Sequence, residues 1–207
     1  DSSVVYRVDT GVVMRRAWDE DAESGSEERE MALDDFGDPI RGMRLRYVES
    51  WRGAPLVNKT HPDGKLEMGT AERVHNIAMA IGAGSVRVDA SGLGGGVADR
   101  LWDLSGGGKH YEVVEVLGGA ASPDRRQWYN NRAYQFDMLR LGMFQGYIDI
   151  DPRDEQLLDE LSGIQYDFAD AASGGGLKIE SKEAMKRRGV KSPDFADAAW
   201  YAVADLT

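Results

Sequence analysis

Apolar and polar residues alternate over the first fifty positions in the pattern typical of antiparallel strands. Two short runs rich in Val, Tyr and Met, residues 2–8 and 12–18, flank a turn-forming stretch at 9–11 whose glycine predicts a hairpin. A third alternating run at 44–51 predicts another strand. The segment 19–42 is so acidic that we expect a solvated insertion there rather than a core element.

From residue 70 onward the pattern changes to alternating helices and strands. Apolar residues at helical spacing predict a helix that Thr70 caps and that ends at Gly82. Apolar runs at 85–90 and 111–117 predict two buried strands, and the segment 97–104 between them predicts a connecting helix. Because a strand, a helix and a second strand follow in this order, we expect a parallel pair.

The last third of the chain predicts three further helices and a hairpin. A Ser-Pro pair at 122–123 is typical of a helix start, and the apolar stripe that follows it stops at Gly146. A short amphipathic helix is predicted over 154–161, and a second Ser-Pro pair at 192–193 predicts the start of the final helix. Two strand-like runs around a glycine cluster predict a mobile β-hairpin within 164–182.

Composition indicates one ordinary domain. The 207 residues are 42% hydrophobic and 29% charged, and no apolar run approaches the ~18–20 residues of a membrane span. The sequence has no Cys, which excludes a thiolate nucleophile and a Cys-ligated metal centre, and it opens without the features of a signal peptide. We therefore expect a single α/β domain over residues 1–207, with a cytoplasmic location and no membrane partner.

Charge argues against nucleic-acid binding by the surface as a whole. The chain carries 36 acidic and 25 basic residues, for a net charge of -11 and an isoelectric point near 4.8. A local exception lies at 178–191, where six basic residues stand against two acidic ones. A solvated helix face explains such a run by default, but cations beside an acidic site are also what a phosphate backbone requires.

Three aspartates are the strongest candidates for chemistry. Asp89 ends a predicted strand, so it would lie at the carboxyl edge of the sheet, where α/β folds bind their ligands. Asp194 and Asp197 open the last predicted helix and can project to one side. Together the three would supply the oxygen ligands of hard divalent cations, and two such ions can drive phosphodiester hydrolysis. Structural roles also explain them, because Asp caps turns and acids are favoured at helix starts.

The sequence lacks several other catalytic motifs. The glycines at 92–96 do not complete a dinucleotide-binding motif, and the Gly-Lys pair at 108–109 is followed by His, so no phosphate-binding loop is present. The motif G-x-S-x-G of serine hydrolases does not occur either. The three histidines, His61, His75 and His110, are scattered along the chain.

Two segments resemble the nuclease domain of the large terminase subunits of tailed phages. The stretch VRVDASGLGGGVADRL at 86–101 resembles that family's strand, aspartate, glycine and helix segment. The stretch IESKEAMKRRGVKSPDFADA at 179–198 resembles its carboxyl-terminal signature, and the helix around 130–132 is similar to the segment between them. Two motifs in the right order are far more specific than either alone.

The resemblance implies an RNase H-like fold with a mixed central sheet flanked by helices. It also implies a metal-dependent endonuclease that cuts concatemeric double-stranded viral DNA during genome packaging, with two Mg²⁺ or Mn²⁺ ions as cofactors. The implied partners besides DNA are the packaging ATPase domain of the same full-length protein, the portal and the small terminase subunit. The implied location is the cytoplasm of the bacterial host cell.

The family's site residues carry over to particular positions of this sequence. Asp89 matches the second metal-binding acid, and Asp194 matches the third, with Asp197 as an alternative ligand. The family's first acid lies on an opening strand that we expect to be missing or truncated here, which would leave the fragment weak or inactive; Asp9 is a weaker substitute. The basic residues expected to bind DNA are Arg132, Lys182, Lys186, Arg187, Arg188 and Lys191.

Two other functions stay open on the sequence alone. The same fold could hold DNA or a portal protein without catalysis, with the aspartates in structural roles. A nucleotide-binding α/β protein that uses the glycines at 92–96 is a third hypothesis. Metal titration separates the first of these from an endonuclease, because a binding module should not be stabilised by a divalent cation.

Overall fold

The computed structural model describes residues 2–12, 14–17, 28–31, 36, 38–169 and 175–204. Among these residues the strands are β1 (Ser3–Val12), β2 (Met14–Ala17), β3 (Glu28–Met31), β4 (Arg41–Trp51), β5 (Lys59–Thr60), β6 (Leu66–Glu67), β7 (Ser85–Asp89), β8 (Glu112–Val116), β9 (Ile148–Ile150), β10 (Tyr166–Phe168) and β11 (Leu177–Ile179). The helices are α1 (Thr70–Ile81), α2 (Gly94–Leu104), α3 (Asn131–Gln145), α4 (Glu155–Gly163), α5 (Lys182–Arg187) and α6 (Asp194–Val203).

Two sheets form the centre of the described structure, and they are not paired with each other. One contains β9, β4 and β1 in that order, with β1 antiparallel and β9 parallel to β4. The other contains β7 and β8, which are parallel. The pairs β2–β3, β5–β6 and β10–β11 are small antiparallel ribbons. Helices pack against both sheets, which confirms the mixed α/β class.

The prediction of a hairpin at residues 9–11 is wrong. Strand β1 runs through these residues and pairs with β4 along its length, apart from a register shift between Val5 and Tyr6. Gly11 does not adopt the left-handed φ that a tight hairpin turn would demand. Pairing with a strand thirty residues away therefore overrides the local turn preference of this segment.

The boundaries of the acidic insertion expected at 19–42 are also wrong. Residues 28–31 form β3, which pairs with β2, and β4 already begins at Arg41. The strand predicted at 44–51 is confirmed as the larger part of β4. The rest of the expected insertion, at 19–27, 32–35 and 37, lies outside the described residues.

The prediction that a helix begins at the Ser-Pro pair 122–123 is wrong. The Ser122 hydroxyl donates instead to the carbonyl of Trp128 across a loop. Helix α3 begins after Asn130, whose side chain accepts the N–H of Ala133 at 3.0 Å. The asparagine satisfies a helical N–H that Ser122 cannot reach, so it decides where the helix begins.

The remaining helix and strand predictions agree well with the structure. Helix α1 ends at Gly82 and α3 at Gly146, both with left-handed φ, although Gly69 rather than Thr70 occupies the N-cap of α1. The parallel pair is confirmed as β7 and β8, and α2 between them begins at Gly94, three residues earlier than expected. The helix at 154–161, the final helix and the β10–β11 hairpin are confirmed.

The described structure contains one further strand that was not expected, and part of the expected hairpin lies outside it. The short strand β9 is not predicted by the pattern, and residues 170–174 of the hairpin lie outside the described part of the chain. None of the described helices combines the length and the apolar surface that a bilayer crossing requires.

A buried cluster centred on α6 holds the two sheets together. Trp200 is fully buried, and it packs in one cluster with Leu45 of β4, Val116 of β8, Leu139 of α3 and Leu157 of α4. A second cluster lies between α1, α2 and the β7–β8 pair. Burial of a large apolar side chain contributes about 1.5–3 kcal/mol, so the first cluster fixes α6 against both sheets.

The turn after β7 brings helix α2 very close to the end of that strand. A Cβ atom on Gly94 would overlap the backbone carbonyl oxygen of Asp89, whereas one on Gly95 would meet only the carbonyl oxygen of Ala90 at an ordinary 3.7 Å. The absence of a side chain at Gly94 therefore allows the helix to begin directly beside Asp89.

We expect Gly94→Ala to destabilise the fold by about 1–3 kcal/mol, because the new methyl group must push the backbone of β7 away from α2. Gly95→Ala is the matched control and should be neutral or stabilising by up to about 1 kcal/mol, since alanine favours helix. Urea denaturation of both variants measures the difference. Equal stability of the two variants would contradict the close approach.

Candidate active site

Asp89 lies at the carboxyl end of β7, where the sequence predicts it. One of its carboxylate oxygens accepts the backbone N–H of Ser91 at 2.9 Å, which is the bond of a turn-capping aspartate. The hydroxyl of Tyr201 on α6 lies near the same side chain, whose negative charge helps to raise the pKa of that hydroxyl. The carboxylate is therefore oriented by the turn that follows β7.

Asp194 and Asp197 occupy the first turn of α6. Pro193 precedes the helix and offers no capping side chain, so Glu160 of α4 accepts the N–H groups of two following residues at 2.7 and 3.0 Å. Burial raises the pKa of Glu160, and the charge of Asp194 raises it further, while the donated N–H groups lower it. A carboxylate from a second helix thus caps the helix that carries both aspartates.

All three aspartates border one cavity of about 830 Å³, which β1, β7, α1 and α6 enclose. Lys182 of α5 and Tyr201 of α6 line it as well. Residues more than a hundred positions apart in the chain therefore border a common space, on the inner side of the two sheets.

Asp197 is almost completely buried and has three partners of its own. Arg132 of α3 lies 3.3 Å from its Oδ1 and Lys182 lies 2.9 Å from its Oδ2. The indole N–H of Trp200 donates to Oδ1 at 3.2 Å. The side chain of Arg132 is only 16% exposed, against 47% for Lys182. The arginine is therefore the inner counter-ion and the lysine the outer one.

Tyr201 connects the helix to the strand that carries Asp89. Burial is the main cause that raises the pKa of its hydroxyl, and the adjacent Asp89 carboxylate raises it as well. Its ring lies 3.8 Å from that of Trp200, centroid to centroid. The phenol therefore stays protonated over the physiological range.

The donor set of the cavity has the right chemistry for Mg²⁺ or Mn²⁺, because carboxylate oxygens are the ligands that hard divalent cations prefer. Within the described ranges, however, no three His, Asp or Glu side chains come close enough to share one ion. Asp197 is engaged by its two cations, and Asp194 accepts the backbone N–H of Ser2. Among the described residues, the three acids thus border one cavity without forming a complete three-residue metal site.

The basic residues singled out by the sequence separate into two groups. Arg132 and Lys182 are bound to Asp197, and Arg188 pairs with Glu180. Lys186, Arg187 and Lys191 are exposed beyond them, on and after α5. The segment 178–191 therefore combines cations that hold the site together with cations on the surface around it.

Asp9, the possible substitute for a first acid, is remote from the other aspartates. It lies in the second half of β1 and pairs with Arg7 and with Arg46 at 3.1 Å. Ser2, at the other end of the strand, is the residue that contacts Asp194. Seven residues of extended chain, about 23 Å, separate the two. Asp9 therefore lines the same cavity away from Ser2, and its carboxylate is paired with arginines rather than placed beside Asp194.

Sequence reasoning missed two residues at the site: Tyr201 lines the cavity, and Glu160 caps α6. Tyr201 follows Asp197 by four positions, a spacing that places both on one face of a helix and could have identified it. Glu160 gave no such signal, because only the packing of α4 on α6 brings it to the helix start.

Comparison with known proteins supports the fold. No protein-family model matches the chain, and no curated protein matches it. The nuclease domain of the large terminase subunit gp2 of bacterial virus Sf6 is similar in structure, with a TM-score of 0.56, 19% identity, and coverage of 78% of this chain and 80% of that one. A point variant of that domain with manganese and beta-thujaplicinol gives the same TM-score of 0.56 at 18% identity, over 82% and 84% of the two chains. The fold is therefore RNase H-like, as the resemblance implied.

We expect Arg132→Ala to lower the free energy of unfolding by about 3 kcal/mol, because it leaves the buried Asp197 carboxylate without its inner cation. Lys182→Ala should cost about 1 kcal/mol or less, since that lysine is half-exposed. Chemical denaturation of the purified variants measures both values.

Two further variants isolate the ion pair. Arg140→Ala removes an exposed arginine of the same helix from its pair with Asp137 and should cost under about 0.5 kcal/mol. In an Asp197→Asn background, Arg132→Ala should lose part of its effect, by about 0.5–3 kcal/mol. Additive costs in this double-mutant cycle would show that Arg132 stabilises the fold through Phe136 and Glu180 only.

Proposed function

We propose that this chain is the nuclease domain of a phage terminase large subunit and that it cuts concatemeric double-stranded DNA during genome packaging. The single observation that carries the proposal is that Asp89, Asp194 and Asp197 border one cavity in a fold similar to a terminase nuclease domain. The sequence motifs around these residues support the same family.

Asp89 and Asp194 are the proposed holders of divalent cations, with Asp197 as the third ligand or as a neighbour that orients them. Bound Mg²⁺ or Mn²⁺ would activate water and stabilise the leaving oxygen of a phosphodiester. The chain's own residues position the acids: the backbone N–H of Ser91 donates to Asp89, and Glu160 fixes the start of the helix that carries the other two. These contacts pre-set the acids before DNA arrives.

Lys182 and Arg132 have a second proposed role. They neutralise a buried carboxylate in the structure described here, at 2.9 and 3.3 Å from Asp197. Lys182 is the more exposed of the two, so it is the one that can turn toward a DNA phosphate. Lys186, Arg187 and Lys191 extend the same positive edge over the surface, and Arg188 borders it. Phosphate contacts of this kind position a duplex without reading its sequence.

The proposed partners follow from the same family. They are double-stranded DNA, a packaging ATPase domain in the same full-length protein, the portal and the small terminase subunit. The acidic total of the chain makes the isolated domain a weak, salt-sensitive DNA binder, because only the local basic edge attracts the backbone.

A non-catalytic RNase H-like module is the second candidate function. The engagement of Asp197 by two cations and the lack of a three-residue metal cluster among the described residues favour it. In that case the aspartates serve the packing of α6, and the domain holds DNA or a portal protein. Metal binding and cleavage decide between the two candidates.

We expect the domain, with the family's opening strand restored at its amino end, to nick supercoiled plasmid in the presence of Mn²⁺, and Asp89→Asn to reduce the rate by about 100-fold or more, because it removes a ligand charge. Asp99→Asn is the matched control: this aspartate is exposed on α2, outside the cavity, and its loss should leave the rate unchanged. Conversion of supercoiled to open-circular DNA on a gel measures the rate. Equal nicking by both variants would contradict the assignment of Asp89.

Divalent cation alone should also stabilise the folded chain. We expect Mn²⁺ at a hundred times its dissociation constant to add about 2.7 kcal/mol to the free energy of unfolding, because it binds only the folded state. Asp89→Asn combined with Asp194→Asn should remove this effect, and EDTA should reverse it. ATP or NAD without metal should produce no shift. A chain whose melting is indifferent to Mn²⁺ would favour the non-catalytic module.

A further inference from the structure

A second positively charged segment lies beside the cavity, in the connection between β4 and α1. Residues 52–61 include Arg52 and Lys59 but no Asp or Glu, in a chain whose net charge is -11. Both cations are exposed, and neither forms an ion pair within the described part of the chain. Glu67, which lies opposite Lys59 in the β5–β6 ribbon, is bonded to His61 instead. The two cations are therefore available to an anionic ligand.

Arg52 is connected to one of the candidate metal-binding acids through a single residue. It directly follows Trp51, which ends β4 and lines the cavity. The Nε–H of Arg52 donates to the hydroxyl of Ser2 at 2.6 Å, and the backbone N–H of Ser2 donates to the carboxylate of Asp194. The guanidinium therefore lies two contacts away from Asp194 and is not neutralised by it.

The same segment continues to the helix that begins beside Asp89. Leu56 lies against α2, because a Cβ atom on Gly96 would meet its Cδ1 at 3.6 Å. Gly94, at the start of that helix, approaches the backbone carbonyl of Asp89 so closely that a side chain there would overlap it. The segment that carries Arg52 therefore extends from the surroundings of Asp194 to those of Asp89.

Hydrogen bonds to the start of α1 hold this segment in place. The backbone carbonyls of Pro55 and Leu56 accept the first two N–H groups of the helix, at 2.8 and 3.1 Å. Asn58 adds two bonds: its backbone N–H donates to the buried Glu72 at 3.1 Å, and its side-chain oxygen accepts the N–H of Gly69 at 2.9 Å. A loop that is already ordered loses little conformational entropy when a ligand binds. The backbone that carries both cations is therefore preorganised.

We propose that residues 52–59 form a second phosphate-binding edge of the site, at which Arg52 and Lys59 contact the backbone of double-stranded DNA. Arg52 keeps its Nε bond to Ser2 and offers its two terminal amino groups to a phosphate, and Lys59 binds a phosphate farther along the duplex. Such contacts position DNA without reading its bases. The inference rests on the proposed nuclease function and adds to it a surface separate from α5.

Binding of a short, fluorescently labelled DNA duplex tests the proposal. Anisotropy is measured from about 50 to 200 mM NaCl, with Ca²⁺ present because the acids repel DNA when they hold no cation. Arg52→Ala combined with Lys59→Ala should weaken binding about tenfold at the lowest salt and reduce the slope of log K against log salt by about 2, since two phosphate contacts are lost. Arg52→Lys combined with Lys59→Arg keeps both charges and should retain the affinity.

The matched control is Lys109→Ala combined with Arg140→Ala, which removes one lysine and one arginine from exposed positions that do not line the cavity. Lys109 precedes β8, at the end of the β7–β8 pair opposite to Asp89. The control should change the affinity by less than about twofold. An equal loss in both pairs would overturn the inference, because total charge would then account for the effect.

A third pair separates this inference from the proposed function. Lys186→Ala combined with Arg187→Ala removes cations of α5 that the proposed function already assigns to DNA, so it should also weaken binding. If this pair weakens binding and the loss of Arg52 and Lys59 does not, the second edge is wrong and the proposed function stands. If the unaltered chain binds no duplex at the lowest salt, both are wrong.

Discussion

The packing of α6 across both sheets is the constraint on which the rest of the structure depends. Its buried side, centred on Trp200, fits into a cluster that draws on strands of each sheet and on two other helices. A shift of this helix would expose apolar surface worth several kcal/mol, so its position is fixed by packing. Because the helix is fixed, Asp194 and Asp197 in its first turn lie at the cavity. Asp89, at the end of β7, borders the same cavity.

In a chain with a net charge of -11, the three aspartates at the cavity are each stabilised by hydrogen bonds or ion pairs. Each aspartate has its own partner: the backbone N–H of Ser91 donates to Asp89, that of Ser2 donates to Asp194, and two cations flank Asp197. Burying a carboxylate without such partners costs free energy. These contacts therefore hold the acids in place on the strand and the helix that carry them.

The similarity to a terminase nuclease domain, at 19% identity, shows the fold of the chain. A fold does not determine an activity, so the chemistry must be argued from the side chains. An RNase H-like sheet with acids at one end can serve catalysis or simple binding. The features that favour catalysis are the shared cavity and the exposed cations beside it. The feature that favours binding alone is the engagement of Asp197 by Arg132 and Lys182.

The sequence by itself determined the elements whose signals are local. The helical period of α1 and its glycine stop, the buried runs of β7 and β8, and the order strand, helix, strand all follow from side-chain patterns that report burial. The position of Asp89 at a strand end and of two aspartates at a helix start followed in the same way, and the motifs around them indicated the fold.

Only the tertiary structure decided what depends on distant contacts. The segment at 9–11 has the composition of a turn, but pairing with β4 keeps it extended; Ser122 resembles a cap, but Asn130 supplies the bond. The partners of Asp197 come from α3 and α5, and no local pattern encodes which cation reaches a buried carboxylate. Burial and pairing energies are properties of the assembled chain, so they override local preferences wherever the two disagree.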